Sequence, residues 1–124
     1  MAELKFNAKE ALQMILDPAA ESGIKKVLEK VSKDIKQTTG VSCVAAVPGV
    51  EVSQAVIIAT DGCGELADML KARIPELKQL EGKWESYGFY LTEQPIPGVQ
   101  QGLVIVGSDK LGTIYGMFHL SELL

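Results

Sequence analysis

Apolar positions along the chain change spacing several times, and each change marks an element. Ile24, Val27, Leu28, Val31 and Ile35 recur at helical spacing, with Lys and Glu on the opposite side. That spacing predicts an amphipathic helix. Asp17 is placed to cap it, with Pro18 at its first position, where a missing N–H does no harm. Thr39-Gly40 supplies a glycine stop. Ahead of this helix, Leu4 to Phe6 and Gln13 to Leu16 read as two short strands around a turn at residues 7–10. Ala55 to Thr60 is short, apolar and β-branched, the pattern of a buried strand. Glu65 to Ile74 predicts a second helix, stopped by Pro75. The mixed stretch PELKQLEGKWES, residues 75–86, reads as a surface loop. Tyr87, Phe89 and Leu91 alternate with Gly88 and Tyr90, as in a strand. A turn over residues 93–101, with Pro95, Pro97 and Gly98, joins that strand to Leu103–Val106 as a long hairpin.

The last helix follows the turn Gly107, Ser108, Asp109 and Lys110. At about 100° per residue, Leu111, Ile114, Tyr115 and Phe118 fall on one stripe. Met117, Leu120 and Leu124 fall on nearly the opposite one. A helix that is apolar all round belongs in an interior. One stripe can face the domain's own sheet, and the other requires a partner. The predicted order is β-β-α-β-α-β-β-α. Hairpins and crossovers together predict a mixed sheet. With helices on one face, this is a two-layer α+β sandwich.

The length, 124 residues, allows one domain and one core. Twelve Lys and Arg against sixteen Asp and Glu leave a net charge of −4. No basic stretch interleaves with aromatics, so nucleic acid is not an expected partner. No apolar run reaches the roughly 18 residues of a membrane helix. The start, MAELKFNAKE, has no basic segment followed by an apolar core. A cytoplasmic location is therefore expected. Cys43 and Cys63 form no CxxC pair and read as reduced, partly buried thiols. With a single histidine, His119, a zinc site lacks ligands. No cofactor or metal is expected.

Several motifs bear on chemistry. Gly62-Cys63-Gly64-Glu65-Leu66-Ala67 fits GxGxxA after a strand and before a helix, as in dinucleotide sites. Asp61 and Glu65, however, set two carboxylates at the phosphate position. Gly107–Thr113 resembles a phosphate loop but lacks the lysine before Thr113. Its plainer role is a helix cap through Ser108 or Asp109. His119 has neighbours Ser121 and Glu122 on other helix faces, so no triad is spaced here, and a structural histidine is expected. Trp84, Tyr87 and Tyr90 are the candidate platforms for stacking on a sugar. Gly112 and Gly116 lie one turn apart and let the last helix approach the sheet. Taken alone, these residues give a globular domain with an unsatisfied helix face, and no reaction.

Two stretches add a resemblance. GSDKLGTIYGMFHLSELL, Gly107 to Leu124, resembles the end of the N-terminal domain of family-115 glycoside hydrolases, the xylan α-1,2-glucuronidases. There a GSDKRGTIYGIYDLSE-like stretch leads toward the catalytic barrel. EGKWESYGFYLTEQPIPGVQQGLVIVGSDK, Glu81 to Lys110, is similar to that family's G-K-W-E-x stretch, strand, and P-x-P-G-x-x-Q-x-L-V-I segment. Leu111 stands where the family commonly has arginine, and Phe118-His119 where it often has Tyr-Asp. The wording YGMFHL leans toward family-67 α-glucuronidases. Those families and the β-hexosaminidases share a related N-terminal α+β domain.

The resemblance implies a non-catalytic N-terminal domain of a bacterial enzyme that removes glucuronic or 4-O-methylglucuronic acid from xylan. The catalytic acids would lie in a barrel after Leu124. Met117, Leu120 and Leu124 would pack on that barrel. Ser108, Asp109 and Lys110 would stand at the substrate rim or the domain interface. Xylan-derived oligosaccharides would then be met through the whole enzyme.

Overall fold

The computed structural model describes residues 12–17, 22–40, 42–46, 49, 51–62 and 64–123. The expected strand at Leu4–Phe6 with its turn, together with Pro18, Cys63 and Leu124, lies outside them. The elements run β1 (Leu12–Leu16), α1 (Ser22–Thr39), β2 (Cys43–Ala46), β3 (Val52–Thr60), α2 (Glu65–Arg73), a 3-10 helix (Pro75–Leu80), β4 (Tyr87–Glu93), β5 (Val99–Gly107) and α3 (Lys110–Leu123). The five strands form one mixed sheet in the order β2-β1-β3-β5-β4. Parallel pairing joins the first four in that order, and β4 returns antiparallel along β5. The α+β class and the mixed sheet agree with the pattern along the chain.

Alternation along the strands sends side chains to two faces. Met14, Leu16, Val56, Ile58 and Ile105 pack with Ile24, Leu28, Val31 and Ile35 of α1 and with Met117 and Leu120 of α3. This face carries the two long helices. Ile15, Ile57, Ala59, Val104 and Val106 point to the other face. There the short α2 and the 3-10 helix supply Leu66, Leu70, Leu77 and Leu80. The expectation of helices on one face therefore holds for α1 and α3 only. Each large side chain removed from water contributes about 1.5–3 kcal/mol, and both faces are filled this way.

Local signals account for most boundaries. The α1 stripe Ile24, Leu28, Val31 and Ile35 is buried throughout. Gly40 ends that helix with φ 79, its N–H donating to the Lys36 carbonyl at 2.9 Å. The β4–β5 hairpin pairs Tyr87 with Gly107 through to Glu93 with Gln101. Two elements depart from the sequence reading. β2 is a short edge strand paired with β1, where no strand was predicted. Residues 75–80 form a 3-10 helix rather than loop, because Leu77 and Leu80 are anchored in the core.

The stripes of α3 do not divide as expected, and Ile114 of the first packs against the chain's own core. Met117 and Leu120, predicted to meet a second domain, are 0% and 1% exposed within this chain's own core. The outward side carries Leu111, Tyr115 and Phe118. The reason is steric. Gly116 shares the inward face, and a Cβ there would stand 2.7 Å from Cγ2 of Ile105. A glycine facing the sheet lets the helix settle closest on that side.

Candidate functional site

The parallel strands β1, β3 and β5 end together at one edge, the edge where open α/β sheets receive ligands. Asp17 follows β1, Asp61 follows β3, and Ser108 follows β5. The turn after β5 leads into α3 and is held from several directions. Asp109 is its cap: Oδ1 accepts from Gly112 N at 2.8 Å. Oδ2 accepts from Glu85 N at 2.9 Å. These two backbone donors, Glu85 first and Gly112 second, hold the Asp109 carboxyl below its ordinary pKa. Ser108 does not cap the helix. Its Oγ accepts from Ser86 N at 3.0 Å, and its own N–H donates to Ser86 O at 2.7 Å. Lys110 is exposed at the start of α3, its ammonium end lying beside Gly23 of α1.

Below this turn, Thr113 is fully buried. Its Oγ1 lies 2.6 Å from Thr60 Oγ1 and donates toward Asp109 O at 3.0 Å or Ala59 O at 3.4 Å. The end of β3 is thereby tied to the start of α3.

The dinucleotide-like turn carries its own anion. Asp17 is buried, and its Oδ2 accepts from Leu66 N, in the first turn of α2, at 2.9 Å. It therefore caps α2 across the sheet. Asp61 pairs with Lys71 at 2.6 Å, and Lys71 reaches Glu81 at 2.8 Å. The two carboxylates push the Lys71 pKa up, Asp61 being the larger cause, and Lys71 holds Glu81 down. This trio was not assembled from the sequence. The only signal was the charge of Asp61 at the end of a strand.

The three candidate sugar platforms do not share a face. Trp84 is 86% exposed. Tyr87 donates to or accepts from His119 Nδ1 at 3.0 Å, and both rings lie beside Phe89. Tyr90 packs against the opposite core, and burial pushes its hydroxyl pKa up. Cys43 is a free, half-buried thiol whose pKa burial raises. Among the described residues no group of three or more His, Cys, Asp or Glu is placed to hold a metal ion. Among them, no helix is long and apolar enough to cross a membrane. An open groove of about 900 Å³ lies at the other end of the sheet, lined by the hairpin turn and the end of α2. Arg73 in that groove donates to the Gln94 and Glu93 carbonyls.

No protein-family model and no curated protein matches the chain. Among solved structures, its fold is similar to part of a family GH115 4-O-methyl-α-glucuronidase with specificity for decorated arabinogalactans. The TM-score is 0.67 at 22% sequence identity, and the match covers 91% of this chain. The chain spans 13% of the length of that protein.

Proposed function

We propose that this chain is a non-catalytic N-terminal-type domain of an α-glucuronidase-like glycoside hydrolase. The observation that carries the reading is the fold likeness: nearly the whole chain corresponds to about an eighth of a 4-O-methyl-α-glucuronidase. The resemblance of Glu81–Lys110 and Gly107–Leu124 to family-115 stretches supports it independently. The polar groups at the sheet edge fit a supporting role. Asp17, Asp109, Ser86 and Ser108 bind backbone or one another. Glycoside hydrolysis needs two carboxyl groups facing one glycosidic bond. In this reading a catalytic barrel elsewhere in the polypeptide supplies them, and the Gly107–Lys110 turn stands near its substrate rim. Lys110 then offers a cation to the uronate carboxylate.

The test is release of glucuronic or 4-O-methylglucuronic acid from glucuronoxylan oligosaccharides and from decorated arabinogalactan. The full gene product is compared with the 124-residue chain. Release by the full product alone supports the reading. Release by the 124-residue chain itself, or by neither, overturns it.

The exposure of Trp84 favours a second reading, a stand-alone carbohydrate-binding module. It predicts saturable oligosaccharide binding by the 124-residue chain, abolished by Trp84→Ala.

A further inference from the structure

Among the described residues the sheet ends on two edge strands, β2 and β4. β2 is four residues long, and a short edge offers little to pair with. β4 is seven residues long, Tyr87–Glu93. Its register along β5 runs without a break, so no bulge bends it. It carries no proline and no lysine, the residues that commonly block such edges. Two hydrogen bonds at its ends fix which backbone groups are already paired. Ser108 N donates to Ser86 O at 2.7 Å, and Gln94 N donates to Gln100 O at 2.8 Å. Bonding residues alternate in an antiparallel ladder, so Gly88, Tyr90 and Thr92 face β5. Tyr87, Phe89, Leu91 and Glu93 turn their N–H and C=O groups to the outer edge, where no strand lies among the described residues. Leu91 is 40% exposed. Phe89 is half-buried beside the Tyr87 and His119 rings.

We infer that β4 is a pairing edge for a second copy of this chain, the two β4 strands joining antiparallel about a two-fold axis at Tyr90. A second copy is selected because the strand complements itself in one register. With Tyr90 on the axis, Phe89 lies opposite Leu91 of the second copy, and Tyr87 lies opposite its Glu93. Symmetry makes each pair occur twice. Each pair exchanges both backbone bonds, so every outward group of the strand is used. Large apolar side chains then meet across the join, and the two Glu93 carboxylates stand at opposite ends of it. Neighbouring registers fail on named residues. An axis at Phe89 would set Glu93 against Glu85 of the second copy, like charges directly opposed. An axis at Leu91 would set Pro95, which has no N–H, against Tyr87 of the second copy. The two-fold pairing also closes. It uses both long edges and leaves only the short β2 at each end of one continuous sheet. Joining β4 to β2 of another copy would leave β4 residues unmatched and would propagate without closing. Nothing in this pairing depends on a glycosidase elsewhere in the polypeptide.

The experiment is sedimentation equilibrium of the 124-residue chain from micromolar to millimolar concentration, with amide hydrogen exchange followed by NMR on the same samples. The mass should rise to that of two chains. Exchange at Tyr87, Phe89, Leu91 and Glu93 should slow several-fold as concentration rises. Exchange at Gly88, Tyr90 and Thr92 should be slow throughout, because β5 already holds them. Leu91→Lys sets a charge opposite Phe89 of the second copy and should keep the chain monomeric where the unaltered chain pairs. Leu91→Pro removes one outward donor and spares the bonds to β5, a position where an edge strand tolerates proline. It should have the same effect. Slow exchange at Tyr90 and Thr92 identifies a variant in which β4 still lies in the sheet. Val44→Lys, on the other edge strand and 44% exposed at the native residue, should leave the pairing intact. A chain that stays monomeric at every concentration overturns the inference. So does pairing that survives in a folded Leu91 variant, or that Val44→Lys abolishes. Slow exchange of the outward amides at every concentration would mean that the chain covers its own edge, and also overturns it. So does slowing seen only in the full gene product, which assigns the edge to another part of the polypeptide.

Discussion

The carboxylate of Asp17 fills the space that a side chain on Gly64 would need. Gly64 has φ 86 and immediately precedes α2. The absence of a Cβ lets the Asp17 carboxylate reach Leu66 N, one of the donors that a helix start leaves unpaired. An anion at that end is also favoured by the helix dipole. The glycine-rich turn therefore has the geometry of an anion site, and the anion is a side chain of the same protein.

Asp17→Ala should lower stability by about 1–3 kcal/mol, the cost of leaving a buried donor without a partner. Asp17→Asn keeps an acceptor and should cost less. Gly64→Ala should be worse than Gly40→Ala, although both glycines have positive φ, because the space around Gly40 is open. Urea unfolding midpoints will rank the four variants. Neither NAD nor ATP at millimolar concentration should raise the melting temperature of the unaltered chain, since a ligand excluded from the native state cannot stabilise it.

The same pair shows where reading the sequence succeeds and where it stops. Gly62–Ala67 was legible as a strand-to-helix turn, and Asp17 as a capping residue, because both signals are local. That Asp17 reaches α2 depends on β1 lying beside β3, a long-range pairing. The α1 stripe and the hairpin were legible for the same local reason. β2 was not, since four small or apolar residues at a sheet edge carry no period. The two-sided α3 left its inward face undecided by apolar spacing alone. Gly116 held the answer, because the face that must approach Ile105 is the one without a side chain.

Gly112 and Gly116 should respond to alanine in the opposite sense to ordinary helical glycines. In an exposed helix interior, Gly→Ala gains about 0.5–1 kcal/mol. Here a Cβ at 112 would meet the backbone carbonyl of Ser86, and one at 116 would meet Ile105 and Tyr87. Overpacking of this kind costs about 1–3 kcal/mol. Gly112→Ala should be the more damaging, because a backbone carbonyl yields less than the Ile105 methyl. It should also loosen the Trp84 loop, visible as faster amide exchange at Glu85 and Ser86. Stability equal to or above that of the unaltered chain would contradict the close approach.

Asp109 predicts an acid-side dependence of stability. Its folded carboxyl titrates below the ordinary value because Glu85 N and Gly112 N donate to the charged form. Its contribution is therefore complete above the unfolded aspartate pKa of about 3.9. It is lost as pH falls from there through the depressed folded value. Asp109→Asn should lower the melting temperature by a few degrees at pH 7 and by less at pH 3. The two melting curves should converge as the pH falls below 4. A gap that stays constant with pH would mean that the carboxylate charge is not what holds the loop to the helix.

Thr60 and Thr113 offer a test of the joint between β3 and α3. Their hydroxyl oxygens lie 2.6 Å apart, and Thr113 is fully buried. The Thr113 hydroxyl is also within reach of the Asp109 and Ala59 carbonyls. Thr113→Val preserves shape but leaves the Thr60 hydroxyl without this partner, so it should cost about 1–3 kcal/mol. Thr60→Val removes only one of several acceptors available to Thr113 and should cost less. Once Thr113 is valine, the Thr60 hydroxyl has lost that contact, and changing it to valine should add little. The double variant should therefore be more stable than the sum of the single losses implies, by about 0.5–1.5 kcal/mol. Strict additivity in chemical denaturation would show that the two hydroxyls act independently, and that the Asp109 and Ala59 carbonyls alone hold Thr113 in place.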